Sequence, residues 1–189
     1  MRFPFISAIC IFIVFLVIAV ASCNKDEIKT TTRVKCVTCA NGGSCINDTC
    51  RCPTGYEGTA CQTQTRQKYL GSWTVREKGS TSSSFTQYSL SIQTNSSNPA
   101  VNSVSLYNLY YYGFSSFLLL NAFITSDSIF IPRQQVDSKY IIGKGYFFGS
   151  SSFGTSTITM RYKVTDTATG ITNDFGYSSA VDSPSVWTR

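Results

Sequence analysis

The chain contains no histidine. This removes the commonest general base and the commonest metal ligand, and it excludes Ser-His-Asp and Cys-His catalysis outright. Cysteine is absent after Cys61, and proline is scarce, with 5 residues in 189. Charge is thin: 16 Lys and Arg face 10 Asp and Glu, a formal net of +6 that is dispersed rather than gathered into a patch. Nucleic-acid binding has no motif behind it, and the cationic excess serves solubility or draws in anionic glycans. No phosphate loop, dinucleotide fingerprint or calcium loop is present, so no cofactor and no metal site are expected. After Cys61 the acidic residues are Glu77, Asp127, Asp137, Asp166, Asp174 and Asp182, spread singly over turns and strand ends. They read as solvated turn carboxylates. A glycan hydrolase would need two of them across a cleft, so the expectation is a non-enzymatic protein.

Cysteine is crowded where it does occur: Cys36, Cys39, Cys45, Cys50, Cys52 and Cys61 fall in one short stretch. Residues 36–61 hold few apolar side chains (Val37, Ile46 and Tyr56), too few to offset the entropy of ordering the segment. Disulfides must supply the difference, at roughly 2–4 kcal/mol each. Gly42, Gly43, Gly55 and Gly58 fall where tight turns need positive φ, and Asn41-Gly42 is a hairpin-turn signal. Six cysteines allow many pairings, and a zinc site on Cys36-x2-Cys39 and Cys50-x-Cys52 is the alternative use of the thiols. The elements Cys39-Ala-Asn-Gly-Gly-Ser-Cys45, Cys50-Arg-Cys52 and Cys52-Pro-Thr-Gly-Tyr-Glu-Gly-Thr-Ala-Cys61 resemble those of EGF-like domains. The resemblance implies pairing of Cys36 with Cys45, Cys39 with Cys50, and Cys52 with Cys61. It also implies a spacer or contact module. Thr32, Arg33, Val34 and Lys35 precede it and offer a hard cation no carboxylate, so no calcium is expected there.

At the amino terminus Arg2 precedes an uncharged, almost wholly apolar run over residues 6–20, followed by small residues. This is the layout of a signal peptide, residues 1–22. Val20-Ala21-Ser22-Cys23 resembles a bacterial lipobox, which implies lipidation of Cys23 and cleavage before it. With two or more acyl chains the anchoring is stable. Asn24-Lys25-Asp26-Glu27 resembles the surface-export signal of Bacteroidota lipoproteins. Residues 23–35 are then a lipidated tether, and the expected location is the outer membrane, at the cell surface.

Residues 62–189 alternate apolar and polar side chains. Ile158, Met160, Tyr162 and Val164 share one face of a strand; Tyr88, Leu90 and Ile92 repeat the pattern, as do Val104 and Leu106. Candidate strands lie near 69–77, 85–94, 101–108, 116–125, 128–131, 139–148, 156–165 and 171–180. The short connections predict an antiparallel meander, closed as a barrel or packed as a sandwich. Gly71-Ser72-Trp73 resembles the G-x-W of the first strand in lipocalin-like folds. That likeness implies a barrel whose closed end is plugged by Trp73 beneath an arginine, for which Arg161 and Arg189 are the candidates. An ordinary core tryptophan is the plainer alternative.

Tyr107, Tyr110, Tyr111, Tyr112 and Phe114 form the densest aromatic run. Exposed, they are candidates for stacking on a sugar or anchoring a protein partner; buried, they fill a core. Asp127-Ser128-Ile129 and Asp166-Thr167-Ala168 resemble O-glycosylation triplets of exported Bacteroidota proteins. The expected whole is a mostly β, membrane-anchored surface lipoprotein. In it an EGF-like module presents a β domain to a glycan or protein partner. The alternatives are a lipocalin-like carrier of a small apolar ligand and a carboxylate-based glycan hydrolase.

Overall fold

A computed structural model of the chain describes residues 38–110, 119–149 and 155–189. The expected signal peptide, Cys23 and the expected tether lie outside the described residues, as do Cys36, Tyr111, Tyr112 and Phe114.

Two short hairpins build the cysteine module. Strand β1 (Ser44–Ile46) pairs antiparallel with β2 (Thr49–Arg51), and β3 (Tyr56–Glu57) with β4 (Thr63–Gln64). Asn47 and Asp48 take positive φ in the two-residue turn that joins β1 to β2. Asn41 and Gly42 take positive φ as well, but their turn, closed by the Gly43 N–H on the Ala40 carbonyl at 2.9 Å, joins no paired strands among the described residues, so the expected hairpin lies at 47–48 instead. Disulfides join Cys39 to Cys50 and Cys52 to Cys61, so these thiols hold no zinc. Cys45 is disulfide-bonded as well. Gly43 departs from the sequence expectation, since positive φ is found at Gly42, Gly55 and Gly58 but not there. What Gly43 requires is room: a Cβ would stand 2.8 Å from the Cys61 sulfur.

The barrel follows from alternation. After a 3-10 turn, η1 (Thr65–Lys68), come β5 (Gly71–Glu77), β6 (Thr86–Thr94), β7 (Ser103–Tyr107), β8 (Leu119–Thr125), β9 (Ser128–Val136), β10 (Lys139–Gly149), β11 (Ser156–Asp166), β12 (Thr172–Phe175) and β13 (Ser185–Thr188). Each of β5 to β11 pairs antiparallel with the next, and β13 lies between β11 and β5, closing an eight-stranded barrel. Ile158, Met160, Tyr162 and Val164 face inward with Leu90, Ile92, Leu106, Leu120, Ile124, Ile129 and Ile141, nearly all without solvent contact. Each such side chain contributes roughly 1.5–3 kcal/mol relative to exposure. Gly143 and Gly145 leave the space that Tyr162 and Met160 occupy, at 2.6–2.7 Å from where a Cβ would stand.

Two strands differ from the sequence expectation. β9 runs past Pro132 to Val136 because it bulges there: Gln134 pairs with Ile141 and Ile131 with Gly143, so Pro132 and Arg133 stand against Ile142 alone. The β8–β9 ladder stops at Phe123, and the Gln134 side chain replaces it. Its Oε1 accepts the Asn121 N–H at 3.0 Å, and its Nε2 donates to the Asn121 carbonyl at 2.8 Å. The last position is split. β12 pairs with the Lys163–Thr165 part of β11, the chain detours, and β13 pairs with Thr157–Met160. The expected strand at 171–180 is therefore only β12, and the strand that closes the barrel lies at 185–188. Arg161 pins the detour, donating to the Gly176 carbonyl at 3.0 Å and to Asp182 at 3.1 Å.

The described residues fall in one compact unit, cysteine module and barrel together. Thr65 donates its N–H to the Gly55 carbonyl at 2.9 Å, and a Cβ on Gly55 would collide with Val101. Lys68 in η1 reaches Glu57 of the module at 2.8 Å and Asp127 of the β8–β9 turn at 2.7 Å. Strand directions place the module at the end carrying η1, Ser126 and Arg189. The β5–β6 turn and the segment after β7 lie at the other end. Lys68→Met should keep the apolar stem and lose the bridge. The expected loss is about 1 kcal/mol in urea unfolding at low salt, and the difference from wild type should shrink in high salt.

Candidate functional site

The two barrel ends are built differently. At the module end Trp73 is 1% exposed, and its Nε1 donates to the Tyr69 carbonyl at 2.7 Å. Phe147 packs edge-on against Trp73, ring centroids 6.3 Å apart, and tilted against Tyr69 at 5.2 Å. Of the two candidate arginines, Arg189 lies over Trp73, its guanidinium carbon 4.4 Å from the ring centroid. Its nitrogens donate to the carbonyls of Leu70 and Lys68. Two charge-assisted hydrogen bonds and a cation–π contact thus tie the residue beyond β13 to the turn that covers this end. Arg161 is engaged elsewhere, on the detour. Arg189→Ala is expected to lower stability by about 1–2 kcal/mol. Arg189→Lys should recover only part of it in thermal unfolding, because an ammonium lacks the planar fork that reaches both carbonyls.

The opposite end holds a carboxylate that the sequence reading placed in solvent. Glu77 is 3% exposed. Its Oε1 accepts hydrogen bonds from Tyr88 at 2.8 Å and Tyr162 at 2.9 Å. Oε2 accepts from Tyr162 at 2.9 Å and from the Ser185 hydroxyl at 2.6 Å, and Ser185 in turn accepts from Trp187 Nε1 at 2.8 Å. No lysine or arginine pairs with it among the described residues. Burial raises the Glu77 pKa above its ordinary range, partly opposed by the hydroxyl donors. Burial likewise pushes the Tyr88 and Tyr162 phenols well up, with Glu77 adding to both.

Asp174 is the second correction, at 6% exposed. Its carboxylate is consumed locally by the N–H groups of Tyr177 at 2.7 Å and Ser178 at 3.2 Å. Asp127, Asp137 and Asp182 are exposed as expected, and Asp166 is half-buried.

Beside Glu77 lies a recess of about 110 Å3 lined by Glu77, Gly79, Ser82, Thr86, Tyr88, Tyr110, Asn173 and Phe175. Phe175 stacks flat on Tyr162, centroids 4.4 Å apart, and meets the Tyr110 ring edge-on at 5.9 Å. Tyr110 belongs to the aromatic run, but it turns inward. Its φ is +60°, its N–H donates to the Tyr88 hydroxyl at 3.0 Å, and its own hydroxyl accepts from Asn173 at 3.4 Å. Tyr107 is half-buried on the outer face of β7. The described part of the run is therefore no coplanar exposed platform.

Exposed aromatics occur elsewhere. Phe130, Tyr146 and Phe148 stand on the outer face of β9 and β10, 43%, 44% and 63% exposed, against only half-burial at Tyr107 and Tyr110. Phe130 is directly opposite Lys144, whose ammonium sits 5.1 Å from the Tyr146 ring. Sequence reasoning missed both this face and Glu77, although Trp73, Val75 and Glu77 share one parity on β5 and thereby one face. A second cleft, of about 360 Å3, runs between module and barrel and is lined by Pro53, Thr54, Tyr56, Thr65 and Thr125 among others.

Comparison with known protein families, curated proteins and solved structures finds no match to this chain.

Because the folded-state pKa of Glu77 is raised, the folded protein holds that proton more tightly than the unfolded chain. Stability from this group is greatest below pH 4.5 and falls as pH rises toward the folded pKa. Glu77→Gln keeps the shape and removes the titration. Its melting temperature relative to wild type should rise from pH 4 to pH 8; a constant difference would mean that Glu77 does not titrate as described.

Proposed function

We propose that this is a membrane-anchored binding protein that recognises a glycan or protein partner with its barrel surface and distal loops. The observation that carries the reading is the packing of the barrel. Among the described residues, inward positions on every barrel strand carry the chain's own buried side chains, which favours a partner met on the outer faces and ends. Exposed Phe130, Tyr146 and Phe148 beside Lys144 supply flat apolar faces with an adjacent charge, the chemistry that sugar rings and protein hot spots use.

The module is docked to the barrel by the Thr65–Gly55 and Lys68–Glu57 contacts, so it acts as a fixed base rather than a loose spacer. Membrane attachment at Cys23 and display at the cell surface rest on the Val20-Ala21-Ser22-Cys23 and Lys25-Asp26-Glu27 motifs.

The carrier reading has one observation in its favour: Trp73 under Arg189 beside η1 gives the closed barrel end that a lipocalin-like fold implies. The filled interior weighs against it, and the cleft of about 360 Å3 lies between module and barrel, not inside the barrel. A hydrolase draws no support from the recess, where Glu77 is the only carboxylate among the described lining residues.

Cys23→Ala should move the protein from the membrane to the soluble fraction. Protease added to intact cells should remove the barrel. Survival in sealed cells with loss in lysed ones would place it on the periplasmic side instead.

A further inference from the structure

We propose that the recess beside Glu77 binds a small organic ammonium group. The inference concerns one end of the barrel and stands apart from the membrane anchor and the β9–β10 face.

Three observations combine. First, Glu77 is buried with no lysine or arginine partner among the described residues; within that set its oxygens accept from the Tyr88, Tyr162 and Ser185 hydroxyls. Those donors fix the carboxyl group in place and supply no positive charge, so a cation entering the recess gains from a pre-oriented partner once Glu77 is ionised. Second, the wall is partly aromatic, with Gly79, Ser82, Thr86 and Asn173 making up the rest. Tyr88, Tyr110 and Phe175 line the recess, with Phe175 held by its stack on Tyr162. Aromatic side chains beside a carboxylate suit a weakly hydrated ammonium. Third, size and donor set narrow the class. About 110 Å3 exceeds what one water needs several-fold but is too small for a sugar ring or a drug-sized ligand. A hard metal ion asks for about six oxygen ligands; no group of three His, Cys, Asp or Glu side chains occurs among the described residues.

The test uses the full-length chain in detergent at constant ionic strength. Tetramethylammonium, methylammonium, neutral tert-butanol and potassium are titrated by calorimetry and by NMR of the aromatic resonances. The expected result is saturable ammonium binding with Kd on the order of 1 mM. Tert-butanol should bind at least about tenfold more weakly, and Glu77→Gln should weaken ammonium binding by about tenfold or more. Tyr110→Leu, which leaves the carboxylate untouched, should weaken it by roughly threefold.

No saturable ammonium binding up to about 100 mM would overturn the proposal. So would equal binding by Glu77→Gln, equal binding of tert-butanol, or competition by potassium at the same concentration. If Glu77→Gln does not fold, the comparison of tetramethylammonium with tert-butanol on the wild-type chain decides alone. Failure here leaves the shaving and Cys23→Ala outcomes untouched, and failure there leaves the titration untouched.

Discussion

Strands β5 and β11 would each present an unpaired edge if β13 did not lie between them. Four residues, Ser185–Thr188, bond to Thr157–Met160 of β11 on one side and to Thr74–Arg76 of β5 on the other. This short strand turns an open, aggregation-prone meander into a closed barrel. It also delivers two side chains inward: Trp187, which is fully buried, and Ser185, which bonds Glu77. Arg189 follows at once and covers Trp73. Closure, the buried carboxylate and the module-end cap all pass through these few residues. The chain reaches them only because β12 takes the upper part of the same edge and Arg161 holds the excursion between.

The two ends meet opposite demands with different chemistry. At the module end indole, phenyl and phenol rings pack edge-on and tilted beneath a guanidinium whose donors satisfy carbonyls of the covering turn. At the far end a carboxylate is buried among hydroxyls. Such a group is destabilising when charged and tolerated because Tyr88, Tyr162 and Ser185 solvate it internally. A barrel designed only for stability would carry an apolar residue at position 77. That contrast makes the far end the more informative place to look for recognition.

Much of the barrel was legible as period-two alternation. The parity of Ile158 to Val164, of Tyr88 to Ile92 and of Val104 with Leu106 was read correctly because a strand buried on one face must alternate. The Cys39–Cys50 and Cys52–Cys61 bonds followed from resemblance, not from spacing. β13 was not legible, since four residues are too few to show a period and its status depends on two partners elsewhere in the chain. Passage of β9 through Pro132 was hidden for a similar reason: the bulge at Pro132 and Arg133 is defined only by the register against β10, and the substitute hydrogen bonds to β8 come from the Gln134 side chain.

Glu77 illustrates the division most clearly. Its place on the inward parity of β5, two residues after Val75, is a property of the sequence, as are the disulfide framework, the strand alternation and the absence of histidine. Whether that carboxylate meets water or a shell of hydroxyls depends on Tyr162, 85 residues away, and Ser185, 108 residues away. Local pattern decides which face a side chain is on, because backbone geometry repeats every two residues. What stands opposite is decided by closure of the barrel, which brings together strands that no short window of sequence contains.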